Sequence, residues 1–100
     1  MKKKDILGQW FDPRALKPSD IEDYQYGEYI ILRMKFLHTT EWQFRIGYYM
    51  EDFFNKTERF FIPMDRRIPF RIEAWTILPE YDYNKLNRQV TWLNGKNGAR

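Results

Sequence analysis

From Trp42 onward the residues alternate in kind. Trp42, Phe44, Ile46, Tyr48 and Met50 share one parity, and Gln43, Arg45, Gly47, Tyr49 and Glu51 share the other. Successive side chains of an extended chain point to opposite faces, so this spacing predicts a half-buried strand with its apolar set turned inward. The preceding run, Glu28 to Leu37, repeats the pattern with Ile30, Leu32, Met34 and Phe36 on one face. Tyr29, Ile31, Arg33, Lys35 and Leu37 fall on the other, which is half apolar and therefore partly covered. His38-Thr39-Thr40-Glu41 between the two runs has a common hairpin-loop length.

Two more strands are expected. Thr57–Ile62 ends at Pro63, which has no N–H for a ladder and so closes a strand or marks an edge. Met64-Asp65-Arg66-Arg67 reads as a polar turn. Phe70–Leu78 then places Phe70, Ile72, Ala74 and Thr76 against Arg71, Glu73, Trp75 and Ile77 until Pro79 stops it. Strands with short links pair antiparallel with their chain neighbours. The expectation is a mainly β fold, with α+β as its variant: a small antiparallel meander, strongly bent or closed into a partial barrel. Short helical or irregular segments precede it. Lys4–Phe11 suits a short helix or an edge strand, and Ser19 with Glu22 has the spacing of a capping box at a helix start. Gln89–Leu93 is a candidate further strand. Residues 1–93 are read as one domain and 94–100, rich in Asn and Gly, as a flexible tail.

Composition narrows the chemistry. With 100 residues the chain buries roughly 60–68% of the surface its unfolded form exposes, enough for one modest core. Aromatic residues make up 19% of the chain, which supplies large apolar area per residue and excludes general disorder. There is no cysteine, which removes thiolate nucleophiles, disulfides, iron–sulfur clusters and thiolate zinc sites. Met1-Lys2-Lys3-Lys4 lacks the apolar stretch of a signal peptide, and no apolar run suits a membrane span. The expected location is the cytoplasm, or a virion if the protein is structural.

The charge of +3 and pI near 9.2 come from interspersed patches of both signs, which permits a polyanion partner without specifying one. Ser19 is the only serine and His38 the only histidine, with no Gly-x-Ser-x-Gly elbow. His38 reads as a solvated loop residue. Asp20, Glu22 and Asp23, or Glu51 and Asp52, offer oxygen ligands but no EF-hand spacing. No phosphate-binding glycine loop is present. No catalytic residue, metal or cofactor is expected.

Trp10 and Pro18 precede the apolar run Tyr29-Ile30-Ile31-Leu32. The aromatic strand Phe44-Arg45-Ile46-Gly47-Tyr48-Tyr49 follows, and Ile72-Glu73-Ala74-Trp75-Thr76-Ile77-Leu78-Pro79 closes the set. This pattern resembles the small phage- and prophage-associated family known as domain of unknown function 551, over residues of about 10–80. Ala74 departs from the family's His before the Trp, Tyr81 and Asp82 stand where a second proline is common, and the segment after Pro18 is long. The resemblance implies a compact β-rich domain of a bacterial mobile element and brings no activity with it.

Two surfaces are candidates for function. Tyr24, Tyr26, Tyr49, Phe53, Phe54, Tyr81 and Tyr83 exceed what the core needs and suit a protein interface, because rings give contact area at low entropy cost. The partner is another protein or a second copy of the chain, and inhibition of host defence or an accessory phage role fits such a module. The alternative is a small nucleic-acid-binding module. If the third and fourth strands form a hairpin, Arg59 and Arg71 lie near its Arg66-Arg67 tip, with Tyr49 or Trp75 outward for stacking.

Overall fold

A computed structural model of the chain describes residues 1–63, 69–77 and 83–97, with side chains placed over 87–94 of the last segment. Four antiparallel strands, β1 (Tyr29–Phe36), β2 (Gln43–Asp52), β3 (Thr57–Phe61) and β4 (Phe70–Thr76), form one curled half-barrel sheet. A helix, α1 (Tyr83–Asn97), packs on it. The mainly β, bent-sheet expectation is therefore met.

The strand order is β3-β2-β1-β4. The first three strands follow meander order, but β4 does not continue it beside β3. It pairs instead with the free edge of β1. The cause lies in β1, where Ile30, Ile31, Leu32, Met34 and Phe36 are all buried and both faces are apolar at its centre. A strand with two apolar faces belongs inside a sheet, with a neighbour on each side.

Register assigns the side chains to faces. Ile31 lies opposite Ile46 and Arg33 opposite Phe44, so the apolar parity of β2 lies on the opposite face from Ile30, Leu32, Met34 and Phe36. Alternation separates the faces of β1 and of the first half of β2, but their apolar sets do not meet in one core. The sheet has two. On one face Ile30, Leu32, Met34 and Phe36 pack with Ile6, Ile21, Ile62, Trp75 and Ile77. On the other, Ile31, Phe44 and Ile46 pack with Val90 of α1. Gly47 makes the curl possible: a Cβ there would collide with Leu32 Cδ1 and lie 2.7 Å from the Phe61 backbone oxygen.

A bulge corrects the expectation for β4. Arg33 pairs with Ala74 and Met34 with Ile72, leaving Glu73 as the extra residue. Parity flips there. Trp75, expected outward, is completely buried, and its Nε1–H donates to the Leu16 carbonyl at 2.8 Å.

The N-terminal segment roofs the first core. A 3-10 turn at Lys3–Asp5 sets Ile6 inward, and Phe11 bridges the Trp75 backbone through two hydrogen bonds of 2.9 and 3.0 Å. A second 3-10 turn, Pro18–Asp20, brings Ile21 into the core. The capping box expected of Ser19 and Glu22 does not form. Asp20 accepts the Lys17 N–H at 2.8 Å, Ser19 turns to Glu58, and Glu22 pairs with the N-terminal amine at 2.6 Å.

Residues 83–97 are helical where a strand at Gln89–Leu93 was expected, and the helix extends into the segment read as a tail. Val90 and Leu93 stand on its sheet-facing side. Asn94 anchors it: the side-chain amide donates to the Phe44 carbonyl and accepts the Phe44 N–H, both at 2.9 Å. These bonds satisfy the β2 backbone beyond the reach of β3, whose pairing stops at Tyr48.

Candidate functional site

The best-formed exposed feature is the β2–β3 hairpin tip. Pairing ends at Asp52 opposite Thr57, leaving Phe53-Phe54-Asn55-Lys56 to reverse the chain. Asp52 holds the last three of them. Its Oδ1 accepts the N–H groups of Phe54 (3.0 Å) and Asn55 (3.5 Å), and its Oδ2 accepts Asn55 Nδ2 at 2.9 Å and Arg59 Nη1 at 3.3 Å. Its carbonyl accepts the Lys56 N–H at 2.6 Å, and Lys56 closes the turn in the left-handed region at φ 55°. The Phe54 N–H foremost, then the Asn55 donors and Arg59, hold the Asp52 carboxyl below the usual carboxylate range.

With the polar groups turned inward on Asp52, the two rings point outward. Phe53 is 76% and Phe54 98% exposed. Neither ring is screened by the loop that carries it.

At the base of the hairpin, Glu58 accepts the Tyr26 hydroxyl at 2.6 Å and the Ser19 hydroxyl at 3.1 Å. Glu51 lies directly opposite Glu58 in the ladder, a like-charge pairing that the two donors offset. The bond to Glu58 favours the neutral phenol of Tyr26 and pushes its pKa up to about 12. Tyr26 remains exposed beside the tip.

The other candidate aromatics separate from this group. Tyr24 is structural: its hydroxyl accepts the Tyr49 N–H at 3.0 Å and shares its hydrogen between the carbonyls of Glu28 (3.0 Å) and Tyr49 (3.1 Å). It thereby continues the sheet one position beyond β1. Tyr49 is buried edge-on to Phe60, and burial raises its phenol pKa. Tyr81 lies outside the described residues. Tyr83 begins α1, and its side chain also lies outside them.

The basic hairpin tip is not assembled as expected. Arg59 is on β3 and Arg71 on β4, at opposite edges with two strands between and at least seven residues apart along the register, roughly 27 Å or more at ordinary strand spacing and rise. Arg59 is also engaged by Asp52 and lies 5.1 Å from the Phe61 ring centre. Arg66 and Arg67 lie outside the described residues. Ser19 and His38 sit at opposite ends of β1, about 25 Å apart for eight extended residues. His38 is exposed in the loop after β1, as expected, with its ring 5.8 Å from that of Phe36.

From the sequence Asp52 is weighed only as an oxygen ligand and Asn55 not at all, although both shape the tip. The signal was present, because Asp and Asn readily bond backbone or side-chain groups two or three residues away in tight turns. Among the described residues no cluster of three His, Asp or Glu side chains is placed to hold a metal ion, and no helix is long and apolar enough to cross a membrane. Comparison with protein-family models, curated proteins and solved structures finds no match to the chain.

Proposed function

We propose that this chain is a non-enzymatic protein-interaction module whose contact element is the β2–β3 tip, with Phe53 and Phe54 as anchors and Tyr26 at their flank. One observation carries the reading: adjacent phenylalanines are displayed to solvent on a backbone already fixed by Asp52. Burying such a ring is worth about 1.5–3 kcal/mol, so two exposed rings leave apolar area that a partner can cover. A preformed turn reduces the ordering cost that weakens binding by a mobile loop. The separation of Ser19 from His38 supports a non-enzymatic role. Resemblance to a phage-associated family supports a mobile-element origin, and with it a host or phage protein, or a second copy, as partner.

The test places a photoreactive benzoylphenylalanine at position 54 in the native cell, with Leu37, exposed at the opposite end of β1, as control. A discrete adduct from position 54 that Asp52→Ala abolishes is expected, and its mass identifies the partner. Equal adducts from both positions, or none from position 54, overturn the proposal.

A further inference from the structure

Among the described residues, the helix-side face of the sheet is covered at one end only. Val90 and Leu93 pack on Ile31, Phe44 and Ile46. Beyond them the face carries a row in which rings and cations alternate across the strands. The Trp10 ring lies 5.5 Å from that of Phe44. The Arg33 guanidinium is 5.4 Å from the Phe44 centroid and 5.9 Å from that of Trp42, and Lys35 Nζ is 5.1 Å from Trp42. Arg71 completes the row, directly opposite Lys35 in the β1–β4 register.

Two features of this row point to a ligand. First, Lys35 and Arg71 are like charges at opposed positions, an arrangement that costs a few tenths of a kcal/mol to about 1 kcal/mol in an isolated sheet. Among the described residues neither has an acidic partner. Glu73 is taken by Arg33 at 2.5 Å, and the nearest acid in sequence to Trp42 is Glu41, exposed in the preceding loop. An anion would relieve the repulsion. Second, Trp10 is 41% exposed and Trp42 only partly buried, so indole surface lies beside the uncompensated charge.

We propose that this open end of the face binds single-stranded nucleic acid, with bases stacked on Trp42 and Trp10 and phosphates held by Lys35 and Arg71. A ligand with regularly spaced anions and flat rings matches both features, whereas a duplex keeps its base faces stacked inside. A phosphopeptide would engage the cations and leave the indoles unused. The site is separate from the Phe53–Phe54 tip and does not depend on it.

The experiment titrates a fluorescein-labelled oligothymidylate of about fifteen nucleotides against the full chain, following anisotropy and tryptophan emission at about 50 and 200 mM NaCl. Binding with tryptophan quenching is expected. Two phosphate contacts on a single strand weaken it about sevenfold between those salts. The double variant Lys35→Gln/Arg71→Gln removes most of that salt dependence, and Trp42→Leu loses about tenfold or more in affinity and much of the quenching. Circular dichroism verifies that both variants fold. The proposal is overturned by no binding at tens of micromolar protein in the lower salt. It is equally overturned by salt-sensitive binding that survives Lys35→Gln/Arg71→Gln, or by binding of anionic vesicles or a phosphopeptide in place of the oligonucleotide.

Discussion

The two faces of the sheet are built on different terms. The face under the N-terminal segment gathers Ile6, Ile21, Ile62 and Ile77 from distant parts of the chain around Trp75, and closes the Trp75 indole N–H on the Leu16 carbonyl. The face under α1 has a small buried set, and beside it Arg33 and Lys35 lie over the half-buried Trp42 ring. A side chain buried in the first core has protein on every side and its removal leaves a void. On the second, solvent or a ligand can take the place of what is removed. One face therefore serves mainly stability, while the other retains room for a binding role.

The sharpest way to break that contrast is Trp75→Ala. Trp75 is fully buried, its ring lies 5.2 Å from that of Phe11, and its N–H is bonded to Leu16, so a loss of about 3–5 kcal/mol is expected in urea unfolding. A loss near 1 kcal/mol would mean that this face is not closed. Gly47→Ala should cost about 1–3 kcal/mol, because the added methyl meets Leu32 and the β3 backbone at once. Asn94→Ala tests the second face: it leaves the Phe44 N–H and carbonyl without their partners and should cost about 1–2 kcal/mol, with faster amide exchange at Phe44.

The hairpin tip lies outside both cores. Phe54→Ser should change stability by no more than about 0.5 kcal/mol, since the ring touches little of its own chain. Acid should act on this tip through Asp52. Its folded-state pKa lies below the unfolded value, so the stabilisation is complete above the ordinary carboxylate pKa of about 3.9 and is lost as pH falls through the lower folded value. Amide shifts of Phe54 and Asn55 should report that transition, and Asp52→Asn should remove it.

The strand segments were legible because parity is a local signal. Tyr29–Phe36 and Gln43–Asp52 appear close to where alternation put them, and Thr57 and Phe70 open their strands as expected. The helix was not legible. Asn94, Gly95 and Asn97 are poor helix formers, and Val90, itself a weak one, gains its place by packing in the cluster with Ile31 and Ile46. Of the candidate site, the exposed Phe53-Phe54 pair was foreseen, while Tyr24 and Tyr49 were misplaced because hydroxyl bonding and burial depend on residues 25 positions apart.

Alternation within one extended segment depends on backbone geometry alone, so the residues themselves dictated that these segments are strands and which side chains travel together. Which face of a strand turns toward which core, and which strand lies beside β1, depended on contacts between residues far apart in the chain. The extra residue at Glu73 reversed the parity of Trp75, and the two apolar faces of β1 drew β4 away from β3. Local periodicity is blind to both, because it separates two faces without saying what each will meet.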